Sequence, residues 1–281
     1  MPYTLSSGTR IYWEEYGAGP PVLLIMGLSF THEMWVRILP SLAARHRVVV
    51  FDNRGVGQSD TPSGPYLIRQ MAADAAAVLD AANIDHAQIL GVSMGGMIAQ
   101  ELALRFPSRV TSLTLGCTSH GGILARWPHL RSSWAVKWSN GTRRERELSL
   151  IPLLYAASTP RERIYEDIEL QCCCNCTYAG FFNQLAGILL WSSYLRLPLI
   201  AAPTLVAHGE EDRLIPIQNG KTVASRIPGA RFNPIPGAGH MLATDQPERC
   251  IDLMLEFLDQ HAGDSPQSSA SARPLDTNIA A

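Results

Sequence analysis

The sequence predicts an α/β protein built on a mostly parallel, doubly wound sheet with helices on both faces. Three observations predict this class. Short apolar runs of strand length alternate along the chain with segments of helix-forming composition. Several of these runs are apolar throughout, which is typical of parallel strands that are buried on both faces. Gly-rich or polar segments follow the runs, and ligands of such sheets bind beyond the carboxyl ends of the strands.

The first 118 residues supply most of this alternation. Two strand-like stretches flank Ser6-Ser7-Gly8-Thr9 and predict an antiparallel hairpin over residues 4–5 and 10–16. The buried strands predicted after the hairpin cover residues 22–26, 47–51, 87–90 and 110–117. The helices predicted between them cover residues 34–44, 66–82 and 97–106.

The alternation stops after residue 118 and resumes near residue 203. Residues 119–198 contain helical pieces but no convincing central strand, so we expect an insertion that folds over the sheet. Strands are predicted again at residues 203–208 and 230–235, with helices at 217–227 and 247–261. The expected core therefore comprises residues 1–118 and 199–262. Residues 263–281 are rich in Ser, Ala and Pro and predict a disordered tail.

Composition narrows the class of partner. The chain is 46% hydrophobic and 17% charged, which is ordinary for a globular protein with a sizeable core. A net charge of -2 argues against a nucleic-acid or anionic-membrane surface, and no apolar run approaches a membrane span. The N-terminus has no basic region followed by an apolar stretch, so the six cysteines are expected to be reduced thiols in a cytoplasmic protein. The oligomeric state is not indicated.

The motif Gly91-x-Ser93-x-Gly95 stands where a predicted strand turns into a predicted helix. A sharp turn there would lift the Ser93 hydroxyl above the sheet edge, and the glycines would leave room where the two backbones crowd. A hydroxyl is a poor nucleophile at its own pKa, so Ser93 needs a base and a group that orients the base.

Histidine is the expected base, and the chain has eight histidines. His240 lies just past the last predicted strand, on the glycine-containing loop Gly237-Ala238-Gly239, at the same sheet edge as Ser93. His46 and His86 precede strands and so lie at the opposite edge. Position therefore favours His240 as the base.

An acid should orient His240 and offset the charge of the imidazolium that forms during attack. Asp212 follows a predicted strand and is the last acid before an apolar pair that can bury its carboxylate. Glu210, Glu211 and Asp245 are its rivals.

Four motifs occur in order along the chain. They are Asp52-x-Arg54-Gly55-x-Gly57-x-Ser59, Gly91-x-Ser93-x-Gly95, Gly209-x-x-Asp212 followed by Pro216, and Gly237-x-Gly239-His240. From residue 10 to about 258 the chain resembles the α/β-hydrolase superfamily, in which the order Ser, Asp, His is typical. The resemblance implies a capped serine esterase or lactonase-like protein. It makes Ser93 the nucleophile, His240 the general base and acid, Asp212 the orienting carboxylate, and residues 119–198 a helical cap.

An oxyanion hole needs two backbone donors. The N–H of Met94, at the start of the helix, is expected to be one. The N–H of Leu28 is expected to be the other, and Ser29 on the same loop is left open as its alternative. Here the chain departs from the commonest family pattern, since Met26-Gly27 stands where most relatives have His-Gly. Met26 cannot make the hydrogen bonds of a histidine, so this loop must be supported differently.

Two other segments have competing interpretations. The loop at residues 52–59 could bind phosphate, but it lacks the P-loop arrangement and carries an acid, which favours a structural loop behind the nucleophile. The run Cys172-Cys173-Cys174-x-Cys176 could bind zinc, but adjacent cysteines point in different directions and no further ligand pair completes a site. Core-filling thiols in the cap are the expectation.

The sequence therefore predicts a serine hydrolase that cleaves a small to medium-sized hydrophobic ester or lactone through an acyl-enzyme, with no metal or organic cofactor. The residues predicted to line the substrate pocket are Gly27, Ser29, Trp127, Trp191, Leu214 and Met241. Two alternatives remain open. The same residues resemble those of cofactor-free perhydrolases and C–C bond hydrolases, and a ligand receptor on a hydrolase scaffold would belong to a different class.

Overall fold

The strands form one eight-stranded sheet in the computed structural model, which describes residues 3–127, 142–173 and 175–266. The strands are β1 (Tyr3–Ser6), β2 (Thr9–Tyr16), β3 (Pro21–Ile25), β4 (Arg47–Phe51), β5 (Ala87–Val92), β6 (Val110–Gly116), β7 (Thr204–Gly209) and β8 (Arg231–Ile235). Their order across the sheet is β1-β2-β4-β3-β5-β6-β7-β8. The first two strands are antiparallel to their neighbours, and the other six are parallel.

The strand order places the carboxyl ends of β3 and β5 side by side at the centre of the sheet. The chain runs from β3 outward to β4 and then crosses back to β5 on the other side of β3. In the register, Ile25 at the end of β3 pairs with Gly91 near the end of β5. Crevices for ligands open at such switch points of parallel sheets. The loops after Ile25 and Val92 therefore meet at the expected place for a site.

Helices cover both faces of the sheet, as predicted. Within the described residues the helices are α1 (Leu39–Ala43), α2 (Ile68–Ala81), α3 (Met94–Arg105), α4 (Arg143–Leu154), α5 (Arg161–Cys173), α6 (Tyr178–Leu189), α7 (Gln218–Arg226), α8 (Leu242–Asp245) and α9 (Pro247–Gln260). On one face α2, α3 and α7 bury apolar side chains such as Val78, Leu102 and Val223. On the other face α1 and α9 bury Leu42 and Phe257.

The single helix predicted over residues 34–44 is wrong. The structure has a 3-10 helix at His32–Trp35 and a separate short helix, α1, in which Pro40 lies in the first turn. Proline has no N–H and its ring clashes with the carbonyl four residues earlier, so a helix cannot run through it without a break. The first turn of a new helix is the position where proline is tolerated.

Helices α4, α5 and α6 lie between β6 and β7 and are called the cap helices below. Thr142 and Glu145 form a capping box at the start of α4. Leu154 of α4 and Ile168 of α5 belong to a small apolar cluster of their own. Cys174 and residues 267–281, most of the predicted tail, lie outside the described residues. Among the helices that the structure describes, none is long and apolar enough to cross a bilayer.

Candidate active site

Ser93 occupies a strained turn between β5 and α3. Its backbone angles are φ 59° and ψ -121°, a region that residues other than glycine rarely adopt and that costs about 1–3 kcal/mol. Two hydrogen bonds hold the turn: the Ser93 N–H donates to Gly116 O at 2.9 Å, and Thr118 Oγ1 donates to Ser93 O at 2.7 Å. The fold therefore holds this serine in an unfavourable conformation at the end of the central strand.

Gly91 and Gly95 are required by close backbone contacts around this turn. A Cβ on Gly91 would lie 2.3 Å from Gly95 O, and a Cβ on Gly95 would lie 2.0 Å from Ile25 O. Distances this short are sterically forbidden, and rigid backbone cannot move away as a flexible side chain could. The motif thus packs the start of α3 directly against the end of β3.

His240 and Asp212 are hydrogen-bonded and almost fully buried. His240 Nδ1 lies 2.9 Å from Asp212 Oδ2, and the two residues are 2% and 7% exposed. The other carboxylate oxygen, Oδ1, accepts from the N–H groups of Leu214 and Ile215 at 2.9 and 2.8 Å. Asp212 follows β7 and His240 follows β8, and these parallel neighbours carry both side chains to one sheet edge.

The pKa of Asp212 lies well below its usual value. Burial alone would raise the pKa, but the imidazole charge of His240 and hydrogen bonds from His208 and His240 outweigh that effect. His208 Nε2 lies 3.4 Å from Asp212 Oδ2 and 2.8 Å from Ile215 O. The carboxylate therefore stays ionised and acts as a hydrogen-bond acceptor across the neutral pH range.

None of the rival acids orients His240. Glu211 accepts from the Ala157 N–H, and Asp245 accepts from the N–H groups of Gly239 and Ala156 and from the Thr159 hydroxyl. Burial raises the pKa of Asp245 to about 6, although those hydrogen bonds oppose the rise. Asp245 instead ties the loop before His240 to the segment that follows α4.

Ser93 and His240 line the same two cavities, one on each side of them. The larger cavity has a volume of about 130 Å³ and lies beneath the cap helices, which contribute Leu150, Phe181 and Leu185. Its wall is almost entirely apolar. The smaller cavity has a volume of about 40 Å³ and lies on the side of α8 and α9.

The predicted pocket residues divide between these cavities. Trp127 and Leu214 line the larger cavity, and Gly27 and Met241 line the smaller one. The two other predicted residues line neither of them. Trp191 is 8% exposed and its indole N–H donates to Glu101 Oε2 at 2.8 Å, while Ser29 is buried with its N–H on the Gln184 side chain. Both make polar contacts within the protein, and their place at the substrate stays a prediction.

Two side-chain amides hold the loop after β3, which carries Leu28. Asn53 Nδ2 donates to Met26 O at 2.9 Å. Gln184 Oε1 accepts from the Ser29 N–H at 2.9 Å, while its Nε2 donates to Arg54 O at 2.9 Å. These contacts tie the loop to the segment at residues 53–54 and to cap helix α6.

Sequence reasoning missed Gln184 as a functional residue. It is fully buried in helix α6, where the neighbouring polar residue is Asn183. A buried amide left without partners costs about 1–3 kcal/mol, which explains why both ends of the Gln184 amide are hydrogen-bonded. The polar pair Asn183-Gln184 inside a largely apolar segment is the signal that could have indicated it.

The loop at residues 52–59 makes structural contacts, as its preferred interpretation predicts. Asp52 accepts from the His32 N–H at 3.0 Å and the Gln58 N–H at 2.9 Å. Arg54, 2% exposed, forms a two-pronged ion pair with Asp74 at 2.6 Å. Its charges are thus satisfied within the protein and are not directed at a bound phosphate.

Among the cysteines that the structure describes, which exclude Cys174, none belongs to a group of metal ligands made of cysteines alone. Cys173 is exposed, so the expectation that the cysteine run fills the core is wrong for this residue, and α5 ends there, before Cys176. In the described part of the chain, one group of metal-donor atoms lies within 4.8 Å, from Cys117, Asp212 and His240. Burial raises the pKa of the Cys117 thiol well above its usual value, and the sulfur is hydrogen-bonded to backbone at 3.5 Å. A neutral, packed thiol is a poor metal ligand.

Comparison with known proteins shows similarity over almost the whole chain. The family model described as alpha/beta hydrolase fold matches residues 20–164. RutD of Azorhizobium caulinodans, a proposed carbamate hydrolase, is 32% identical over 265 residues, which covers 92% of this chain and 98% of RutD.

Two solved structures are similarly close. Est816, an N-acyl homoserine lactone degrading enzyme, has a TM-score of 0.79 at 30% identity and covers 91% of this chain and 100% of its own. A thermophilic esterase from Thermogutta terrifontis has a TM-score of 0.78 at 27% identity and covers 93% and 98%. A strained serine between β5 and α3 and a mostly parallel sheet are features of hydrolytic enzymes of this fold. This chain belongs to the α/β-hydrolase family.

Proposed function

We propose that this protein is a serine hydrolase that cleaves a carboxylic ester or lactone of a small to medium-sized hydrophobic substrate. The observation that carries the proposal is that Ser93 and His240 line the same apolar cavity, with His240 Nδ1 held by Asp212 at 2.9 Å. The similarity to an esterase and a lactone-degrading enzyme supports it. Ser93 is the proposed nucleophile, His240 the proposed general base and acid, and Asp212 the proposed orienting carboxylate.

The hydrogen bond to Asp212 decides which nitrogen of His240 can act as the base. An ionised carboxylate only accepts, so Nδ1 carries a proton and Nε2 remains free to accept another. In the proposed first step Nε2 takes the Ser93 hydroxyl proton while Oγ forms a bond to the substrate carbonyl carbon. Asp212 then stabilises the positive imidazolium.

Two backbone N–H groups are the proposed donors to the oxyanion of this tetrahedral intermediate. Met94 is the first residue of α3, where N–H groups have no partner within the helix, and Leu28 lies on the loop held by Gln184. Both residues line the larger cavity with Ser93. Removing one such donor typically costs about 2.7–4 kcal/mol of transition-state stabilisation.

The intermediate collapses when the bond to the leaving oxygen breaks and that oxygen receives the proton from His240 Nε2. The acyl group remains on Ser93 Oγ. Water then gives a proton to Nε2 and attacks the acyl carbon, and Oγ regains that proton as the carboxylic acid leaves. Every proton is exchanged between serine, histidine, water and substrate.

Continuous hydrolysis assays test the proposal. We expect sustained turnover of p-nitrophenyl acetate, butyrate or octanoate, and the panel includes a γ-lactone and a p-nitrophenyl carbamate because of the relatives named above. Ser93→Ala should abolish turnover, whereas Ser225→Ala, an exposed serine of α7, should not. Turnover that persists in purified Ser93→Ala would reject Ser93 as the nucleophile.

The same time courses separate an enzyme from a ligand receptor. A receptor on this scaffold would release at most one equivalent of p-nitrophenol per protein and then stop. A fluorophosphonate label found by mass spectrometry on Ser93, and absent after Ser93→Ala, would identify the nucleophile directly.

A further inference from the structure

The two cavities at Ser93 differ about threefold in volume, 130 Å³ against 40 Å³. An apolar cavity of about 150 Å³ holds benzene, which has about six non-hydrogen atoms. The larger cavity therefore encloses a group of about that size, and the smaller cavity has room for a group about a third as large.

The smaller cavity has firm walls. Trp35 and Met254 are 2% and 1% exposed, and both belong to the core cluster between the sheet and helices α1 and α9. Close-packed interiors resist the insertion of even one or two extra methylene groups. This cavity is thus unable to expand cheaply around a longer chain.

Gly27 keeps the smaller cavity open to the nucleophile. A Cβ at this position would lie 3.1 Å from Ser93 Cβ and 3.6 Å from Ser93 Oγ, in the space that the cavity occupies beside the serine. The two arms of an ester diverge from its carbonyl carbon, which bonds to Oγ during attack. With a cavity on each side of Ser93, one arm enters each.

We infer that the site selects esters with unequal arms: a short arm in the smaller cavity, and a longer apolar arm in the larger cavity, which has about three times the volume. This inference rests on the proposed function. It assigns a substrate class to the site, namely esters that join one short arm to one longer apolar arm, with the short arm on either the acyl or the alcohol side. An ester with two medium-sized arms has one arm that is too long for the smaller cavity.

Isomeric esters test this selection without changing hydrophobicity or size. Ethyl decanoate, decyl acetate and hexyl hexanoate share one molecular formula but divide their carbons differently. Incubated together with the enzyme, they compete for the same site, so the ratio of products measured by gas chromatography gives the ratio of kcat/KM. We expect at least one of the two unequal isomers to exceed hexyl hexanoate by about tenfold or more, because its short arm fits the smaller cavity.

Variants of the smaller cavity test where the preference arises. Met254→Ala should enlarge it and reduce the preference to about threefold or less, and Met34→Ala, on the same wall, does so if Met254→Ala does not fold. Leu185→Ala enlarges only the larger cavity and should leave the preference for a short arm in place.

Two failures are distinguishable. If the p-nitrophenyl esters, the γ-lactone and all three isomers are inert, the proposed function itself is wrong. If the esters are hydrolysed but hexyl hexanoate reacts as fast as both unequal isomers, the proposed function is retained and the inferred selection for unequal arms is wrong. A preference that Met254→Ala and Met34→Ala leave unchanged also overturns it.

Discussion

Replacing Gln184 with methionine removes the side-chain support of the loop that carries Leu28. Methionine has a similar length but cannot donate or accept the two buried hydrogen bonds, each 2.9 Å long, to the Ser29 N–H and Arg54 O. A buried group left unpaired costs about 1–3 kcal/mol, so the free energy of unfolding should fall by about 2–5 kcal/mol.

The effect on the reaction follows from the position of the loop. If the Leu28 N–H stabilises the oxyanion, complete loss of that donor would lower kcat by about 10²–10³. Gln184→Met loosens the loop without deleting the donor, so we expect a decrease in kcat of about 10- to 100-fold. The apolar wall of the larger cavity keeps its residues, and KM should change by about threefold or less.

Steady-state kinetics with p-nitrophenyl butyrate would measure the changes in kcat and KM separately, and urea unfolding would measure the change in the free energy of unfolding. Gln171→Met is the matched control: Gln171 is a cap-helix glutamine, 3% exposed, whose Nε2 has no partner in the part of the chain that the structure describes. Its kcat should stay within about twofold. A folded Gln184→Met protein with wild-type kcat, or one in which only KM rises, would refute the reasoning.

Three further substitutions have defined outcomes. Asp212→Asn should lower kcat by about 10⁴ with little change in folding, because an amide no longer selects the active tautomer of the base; an assay after active-site titration checks it. Asp245→Asn removes a carboxyl whose pKa burial raises to about 6 from 3.8. A carboxyl group with a raised pKa in the folded state stabilises the fold below about pH 4, and this contribution is lost as the pH rises through 6. The unfolding free energy of wild type relative to Asp245→Asn should therefore decrease by up to about 3 kcal/mol from pH 4 to pH 7. Urea unfolding at several pH values measures this, and a difference that grows with pH would contradict it. Gly95→Ala places a Cβ 2.0 Å from Ile25 O, so we expect misfolded or insoluble protein, and a soluble variant with native circular dichroism would show that β3 can move.

Periodicity and spacing were enough to predict most of the fold. Parallel strands that are buried on both faces, such as β3 and β7, are short and mostly apolar. Such segments can be recognised in the sequence itself, so the positions of the strands were predictable. The helix at residues 34–44 failed because the prediction followed apolar spacing and overlooked the break that Pro40 imposes. The element boundaries otherwise moved by only a few residues.

The candidate site was partly predictable for a related reason. Ser93, Asp212 and His240 each lie a few residues after the end of a predicted strand. Because parallel strands bring their carboxyl ends to one edge, this spacing predicted that all three share one edge of the sheet. Trp127 and Trp191 illustrate the limit of this reasoning. Both were expected at the substrate because they are large and apolar, but Trp191 has a buried partner, Glu101, 90 residues away.

The sequence by itself determined the class of fold, the set of loops that share one sheet edge, and the serine motif between a strand and a helix, because these follow from local apolar periodicity and short-range spacing. Only the tertiary structure decided that Gln184 supports the loop 155 residues earlier, and that one cavity is large and the other small. Such features depend on how side chains from distant helices pack together. No local pattern of residues encodes that packing, so it becomes visible only once the chain is folded.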